Sequence, residues 1–364
     1  MAKKISVGIV GGGIGKQHLD GFRALPDVFA VNGFCDLSET QRARYRGEFS
    51  IPFVTDAFDA LCAKPDIDVI DICTPPFLHF SQIRQALLAG KNVICEKPLV
   101  ASLSEIDQLA KISEEVNRHI LPVYQYRYGH GLQKLLYLKD LGILGKPYLA
   151  SIEVAWRRGA DYFAVPWRGK MSTHLGGCLL DQSIHMHDIA ELVMGKAVAV
   201  TAQTRTLVNP VETEDCAGIV METETGALAI EAVTLGAASE KTRLKFCFEN
   251  MTVISDHDQP YRPQDEPWQF VPSNTHVAVA MEKALENFKP GLAGYAGLFF
   301  DYYTAVTTGK ELPVTLADAH RSVGLVSAMY FSAQHGVRVS LPLLPDHLYY
   351  QGWAESGGQQ RLSA

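Results

Sequence analysis

Apolar and polar positions along the first third of the chain fall into blocks that change period. Ile5 to Val10 is a continuous β-favouring run, followed by glycines and then a polar stretch with helical spacing, which predicts strand, tight turn and helix in that order. The change recurs, with strands near 29–35, 68–73, 91–95 and 121–125 and helices near 38–48, 77–89 and 102–118. Strands separated by helices predict a parallel sheet covered on both faces, which binds ligands at the carboxyl ends of its strands. Beyond residue 125 the pattern gives a helix near 130–142, a strand near 148–154, an irregular loop and another helix. Strands then follow near 197–208, 215–223, 227–234, 242–248 and 251–254, alternating apolar and polar across short turns, as in a largely antiparallel sheet with one buried face. Two late helices, near 294–307 and 315–335, are expected to pack against these domains. The Pro-, Gly- and Gln-rich tail 343–364 is expected to be loosely held.

The strand ends carry the candidate chemistry. In the first turn Gly11 makes the bend and Gly13 allows close approach of a pyrophosphate, with Ile14 and Gly15 opening a helix whose free N–H groups hold the anion. In the strict G-x-G-x-x-G register Lys16 occupies the third glycine position and Gly15 arrives one residue early, so the loop alone is a weak signal, since glycine clusters also make ordinary turns. The second strand ends at Asp36, placed to accept the adenine ribose hydroxyls and to repel a 2′-phosphate, which favours NAD. Helix capping is the competing role for Asp36, and Arg42 and Arg44 keep NADP as the minority option. After 68–73 the chain turns at Thr74 and Pro75, with the Thr74 hydroxyl expected free beside a cofactor and His79 in the same motif. The strand 92–95 ends in Glu96-Lys97-Pro98, where proline holds Lys97 extended and aims its ammonium at the ligand side.

Further on, Gly176 and Gly177 release a loop, and a helical pattern is read from Leu180, so Asp181 and His185 are expected to share one helix face. A carboxylate one turn from an imidazole suits a general base, whereas a helix cap and a packed core histidine are the structural alternatives. His185 and His187, with His174 nearby, raise a metal site. Residues two apart on a helix diverge, and no metal is expected. Trp167 and Arg168 stand before this helix as candidate sugar-binding residues, and Tyr126 and Arg127 as residues facing nicotinamide or substrate.

The order of glycine loop, C-T-P-P-x-x-H and C-E-K-P resembles the glucose-fructose oxidoreductase / inositol dehydrogenase / rhizopine catabolism (Gfo/Idh/MocA) family over nearly the whole chain. The resemblance implies an α/β fold, with an N-terminal Rossmann doubly wound parallel sheet (1–125) and a C-terminal α/β domain with a large, mostly antiparallel open sheet (126–342). It implies an NAD(P)-dependent oxidoreductase acting on a secondary alcohol of a sugar, sugar acid or cyclitol, with Lys97, Asp181 and His185 catalytic and a cis Lys97–Pro98 bond. By the same resemblance, cofactor contacts fall at Gly11, Gly13, Ile14, Gly15, Asp36, Thr74, Pro75, His79, Glu96 and Lys97. Substrate contacts fall at Lys97, Arg127, Trp167, Arg168, Asp181 and His185, and the outer sheet face pairs subunits as a homodimer or homotetramer. Ser183 departs from the family's frequent glycine. Two rivals share the fold: an NAD-using lyase or glycosidase with transient oxidation, and a non-catalytic dinucleotide- and sugar-binding sensor.

The bulk numbers narrow the partners. A net charge of −7 over 364 residues, with no extended basic cluster, argues against nucleic acid or an anionic membrane surface and leaves small molecules. Seven cysteines without a C-x-x-C pair suggest neither a disulfide framework nor a zinc knuckle. With no apolar leader and no run long enough to cross a bilayer, a reducing cytoplasm is expected.

Overall fold

The computed structural model describes residues 4–257 and 259–353. The chain forms two compact units. One runs to Gln125 and takes in Leu292–His320; the other comprises Tyr126–Gly291 and the chain from Arg321 onward.

In the first unit the order is β1 (Ile5–Val10), α1 (Gly15–Arg23), β2 (Phe29–Cys35), α2 (Glu39–Gly47), β3 (Phe53–Thr55), α3 (Phe58–Cys62), β4 (Val69–Ile72), α4 (His79–Leu88), β5 (Asn92–Cys95), α5 (Leu103–Val116) and β6 (Ile120–Pro122). The six strands lie in the order β3-β2-β1-β4-β5-β6, and every pairing is parallel. The order reverses between β1 and β4, the switch point at which such sheets bind ligands. β4 is buried along its whole length, as a strand covered on both faces must be. Local chemistry fixes the helix starts: the Ser38 and Ser102 hydroxyls cap α2 and α5, and Glu105 returns to the Ala101 amide at 2.9 Å.

The second unit contains α6 (His130–Asp140), β7 (Pro147–Arg157), α7 (Ala160–Phe163), α8 (Ile184–Met194), β8 (Ala197–Arg205), β9 (Cys216–Thr223), β10 (Leu228–Thr234), β11 (Gly236–Phe248), β12 (Met251–Ser255), β13 (Gln269–Pro272) and α9 (Thr275–Leu285). The chain continues through α10 (Gly294–Thr308), α11 (Leu316–His335) and β14 (Val339–Ser340). Eight strands run β13-β12-β11-β7-β10-β9-β8-β14, and only β7 with β10 pair in parallel. Along β10, Ala229, Glu231 and Val233 are buried while Leu228, Ile230 and Ala232 are exposed. That period of two gives one face to α8, which packs on β7 and β10, and leaves the other apolar and open.

Several boundaries differ from the sequence pattern. β7 and β11 are longer than expected, because β11 stays paired with β7 across a register shift between Gly236 and Lys241. The last strand of the first sheet stops at Pro122, and Gln125 opens a 3-10 turn. The tail is not loose as far as it is described: Leu343, Tyr349, Tyr350 and Trp353 are buried, and residues 354–364 lie outside the described residues. Among the described residues no helix is long and apolar enough to cross a membrane.

α10 belongs with the first unit because α1 offers it a flat seat. A Cβ at Gly21 would lie 2.8 Å from the Tyr295 Cβ, and the Phe22 and Phe299 rings stack at 4.0 Å and 7°. Truncating the fully buried Phe299 removes that stack, so Phe299→Ala should cost about 3–5 kcal/mol. Chemical denaturation followed by hydrogen exchange in α1 measures it, and full protection of α1 in the variant would refute this docking.

Candidate active site

At the β1 turn, Gly11 has φ +94°, and a Cβ there would sit 2.6 Å from the Cys73 carbonyl oxygen, so only glycine fits. Gly15, not residue 16, takes the packing role of a third glycine: its Cβ would lie 3.0 Å from Ile9 Cγ2, bringing α1 onto β1. Lys16 points away to Asp20. A Cβ at Gly13 would meet nothing within 4 Å, and Ile14 is the N-cap of α1 without a side-chain cap, so the helix start offers an open cradle for an anion. The Asp36 carboxylate accepts the Gly12 amide at 2.7 Å and the Ser38 amide at 2.8 Å, so it spans the turn and the start of α2. Ser38 is the cap of that helix. Arg42 is held by Glu39 and the Asp36 and Leu37 carbonyls, and Arg44 by Glu48.

The neighbouring strand ends are tied to one another. The Thr74 hydroxyl is not free as expected; it donates to Gln82 Oε1 at 2.6 Å, because Pro76 opens the turn that brings α4 beside it. Pro75 caps that 3-10 turn with ψ 145°. His79 is buried with its ring nitrogens 2.9 Å from the Thr74 carbonyl and 2.8 Å from that of Pro98, so it straps this turn to the Lys97–Pro98 loop. Burial pushes its imidazole below the ordinary value. The Lys97–Pro98 bond is cis. Glu96 is buried and accepts the Lys97 amide at 3.0 Å, and within 93–100 only Lys97 is not buried.

In the second unit α8 starts at Ile184, later than expected, so Asp181 sits in the turn before the helix rather than on its face. Asp181 accepts from the Tyr162 hydroxyl at 2.5 Å and Gln182 Nε2 at 2.7 Å, and faces His174 Nε2 at 3.3 Å. His174 Nδ1 accepts the Gly169 amide at 3.1 Å, which leaves the ring proton on Nε2, directed at Asp181. The Arg168 guanidinium lies 3.9 Å from the centre of the Tyr162 ring and 5.1 Å from that of Trp167. Trp167 in turn meets His174 edge-on. His185 is buried and stacks on Tyr126 at 4.2 Å and 12°.

The start of α8 is braced from three sides. Arg127 grips Asp188 with two bonds of 2.8 and 2.6 Å, so this guanidinium is engaged by protein. His187 faces the Leu179 carbonyl with Nε2 at 3.1 Å and Glu231 with Nδ1 at 2.8 Å. Burial alone would lower the His187 pKa, but the Glu231 charge beside it outweighs that and holds the imidazole above its usual range. The preceding glycine loop is gripped by buried Glu214, which accepts the Gly177 and Leu179 amides at 3.0 Å and the Tyr330 hydroxyl at 2.9 Å. Trp353 stacks on Tyr330 and donates to the Leu175 carbonyl. A sequence reading overlooks Tyr162, His174 and Glu214 as a set because 52 positions separate the first from the last, and only the loop's folding joins them.

A dinucleotide-binding α/β unit followed by an α/β unit with a large open sheet is the architecture of a two-domain dehydrogenase. The model of the oxidoreductase family with an NAD-binding Rossmann fold matches residues 5–124, and the GFO/IDH/MocA C-terminal domain matches residues 132–254. The chain belongs to the Gfo/Idh/MocA family of oxidoreductases, and its first unit is the NAD-binding Rossmann domain. The uncharacterized oxidoreductase YrbE of Bacillus subtilis (strain 168) is 25% identical over 350 residues, 94% of this chain and 98% of its own. Myo-inositol 2-dehydrogenase of Thermotoga maritima is 24% identical over 234 residues, 62% of this chain and 66% of its own. The WlbA dehydrogenase of Bordetella pertussis, solved with NADH and UDP-GlcNAcA, superposes with a TM-score of 0.83 at 23% identity, covering 94% of this chain and 100% of that one.

Burial raises the Glu214 carboxyl pKa above its ordinary 4.5, although the hydrogen bonds it accepts oppose the shift. A raised folded-state pKa stabilises the fold below the unfolded value and loses that contribution as pH climbs through the folded value. Relative to Glu214→Gln, the thermal midpoint of the parent protein should therefore fall as pH rises above about 4.5, the ordinary carboxyl value. Parallel pH profiles of the two midpoints would contradict this.

Proposed function

We propose that this protein is an NAD-dependent dehydrogenase of a secondary alcohol in a sugar, sugar acid or cyclitol, with Lys97, Asp181 and His185 as its catalytic residues. The observation that carries this reading is Lys97 itself, the accessible residue in a buried stretch at the carboxyl end of β5 in an NAD-binding sheet, with its amide anchored on Glu96. The open cradle at Gly13 and the Asp36 carboxylate at the end of β2 fit a dinucleotide with free ribose hydroxyls. When bound, the nicotinamide supplies the hydride acceptor. In this reading His185 is the base for the hydroxyl proton, and the Lys97 ammonium is the donor that stabilises negative charge developing on the substrate oxygen. Asp181, held by Tyr162, Gln182 and His174, supports the charged imidazole of His185. Trp167 and Arg168 offer an aromatic edge and a cation to a ring bearing hydroxyl or carboxylate groups. The inositol and nucleotide-sugar enzymes among its relatives fit this substrate range.

Lys97→Ala should lower kcat by about 10²–10⁴-fold while NADH affinity, followed by fluorescence, changes little. The assay is net NADH formation over a panel of inositols, aldoses, keto-sugars and sugar acids. Turnover without net NADH would favour transient oxidation, and undiminished turnover in the variant would defeat the catalytic assignment.

The second unit is proposed to pair subunits as a homodimer or homotetramer. Leu228, Ile230 and the cross-strand partner Val220 are each 40–44% exposed on the sheet face turned away from α8. Ile230→Glu should shift the sedimentation coefficient toward monomer with secondary structure retained; an unaltered assembly would place the interface elsewhere.

A further inference from the structure

Beneath the open turn of the first unit lies a polar cluster that the proposed reaction does not use. His18, the fourth residue of α1, is fully buried. Its Nδ1 lies 3.0 Å from both Asp71 oxygens and its Nε2 2.9 Å from Glu96 Oε1. A carboxylate only accepts, so a ring that bonds both acids in their ionised forms carries a proton on each nitrogen, as an imidazolium does. Burial alone would lower the His18 pKa, but the charge and hydrogen bond of Asp71 hold it well above its ordinary value. The groups facing the ring are Asp71 on β4, Cys73 just after it, Glu96 after β5, and the Tyr295 and Phe299 rings on α10.

The cluster also has an output. Glu96 Oε1 accepts from both His18 and the Tyr295 hydroxyl, at 3.0 Å for the latter, while Oε2 accepts the Lys97 amide. Buried ion clusters seldom stabilise a fold more than well-packed apolar residues of equal volume would. Placement is what this one supplies, since a rigid helix is bonded through one carboxylate to the backbone of the next residue. His18 Nδ1, an Asp71 oxygen and Cys73 Sγ could in principle converge on a cation, but Nδ1 bonds both Asp71 oxygens and Nε2 turns to Glu96, the pattern of a charge clamp.

We propose that His18 is a positioning residue, whose clamp on Asp71 and Glu96 sets the Lys97 backbone from the phosphate-binding helix and thereby places the reactive ammonium. This rests on Lys97 being catalytic, so one readout must be independent of turnover. Acetic anhydride labelling of Lys97 in the unliganded protein, quantified by mass spectrometry across pH, is that readout. In His18→Gln the labelling rate or its pH midpoint should shift several-fold, and kcat should fall about ten- to a hundredfold with NADH affinity nearly unchanged. Tyr295→Phe removes one donor to Glu96 and keeps the ring packing, so it should move both readouts in the same direction by less. The double variant should show less than the product of the single effects, because both act on one carboxylate. Unchanged labelling and kcat in folded His18→Gln would overturn the proposal. If that variant does not fold, Tyr295→Phe decides, and unchanged labelling and kcat there would overturn it equally. A labelling shift beside full activity in Lys97→Ala would instead remove the catalytic reading and leave the clamp standing.

Discussion

An imidazole pinned by buried carboxylate is the constraint on which each unit is built. In the first, His18 joins α1 to the ends of β4 and β5 through Asp71 and Glu96; in the second, His187 joins α8 to the middle of β10 through Glu231. Desolvation opposes the imidazolium in each pair, and only the close carboxylate keeps its charge. Removing one member would leave an uncompensated buried charge, at a cost of about 3–5 kcal/mol. The energetic asymmetry makes such contacts poor sources of net stability and strong sources of register. A helix shifted by one residue would leave its ring facing apolar side chains and its carboxylate unpaired.

Backbone geometry decides where the clamps can form. In the first unit the absence of a Cβ at Gly11 lets the turn pass the Cys73 carbonyl, and its absence at Gly15 lets α1 settle on Ile9. Only then does the fourth residue of α1 reach the ends of two strands at once. In the second unit the strict alternation of β10 turns Glu231 toward α8 with Ala229 and Val233. The same alternation that leaves Leu228 and Ile230 in solvent therefore delivers one carboxylate to the underside of the helix that carries His185.

Long, periodic elements were legible in the sequence. β2 matches the apolar run 29–35 residue for residue, and α10 and α11 fall within a residue or so of the patterns that announce them. What escaped was short or decided by distant contacts. β3 has three residues, all half-buried, and α3 has five residues in all, too few to show a period. α9 buries only Val277, although Asn274 capping the Val277 amide was a readable start signal. The helical reading from Leu180 failed because Glu214, 34 residues further on, holds the Gly177 and Leu179 amides in a turn. The sequence shows no partner for the Thr74 hydroxyl, because Gln82 comes alongside only once Pro76 has turned the chain.

The C-terminal segment shows how composition misleads when a few large side chains decide the outcome. Residues 343–364 read as a loosely held tail rich in Pro, Gly and Gln, yet Tyr349, Tyr350 and Trp353 bury their rings in the second unit. Trp353 donates to the carbonyl of Leu175, a non-glycine residue at φ +67°, a conformation that costs about 1–3 kcal/mol unless its surroundings fix it. The same indole stacks on Tyr330, whose hydroxyl reaches Glu214, and Glu214 holds the glycine loop from its other side. The loop that carries Asp181 into the start of α8 is thus gripped by the Trp353 indole and by the Glu214 carboxylate just before β9. Tyr330 joins the two grips, stacked on the indole and hydrogen-bonded to the carboxylate, so the turn at Leu175 and the amides of Gly177 and Leu179 are fixed by one connected set of contacts.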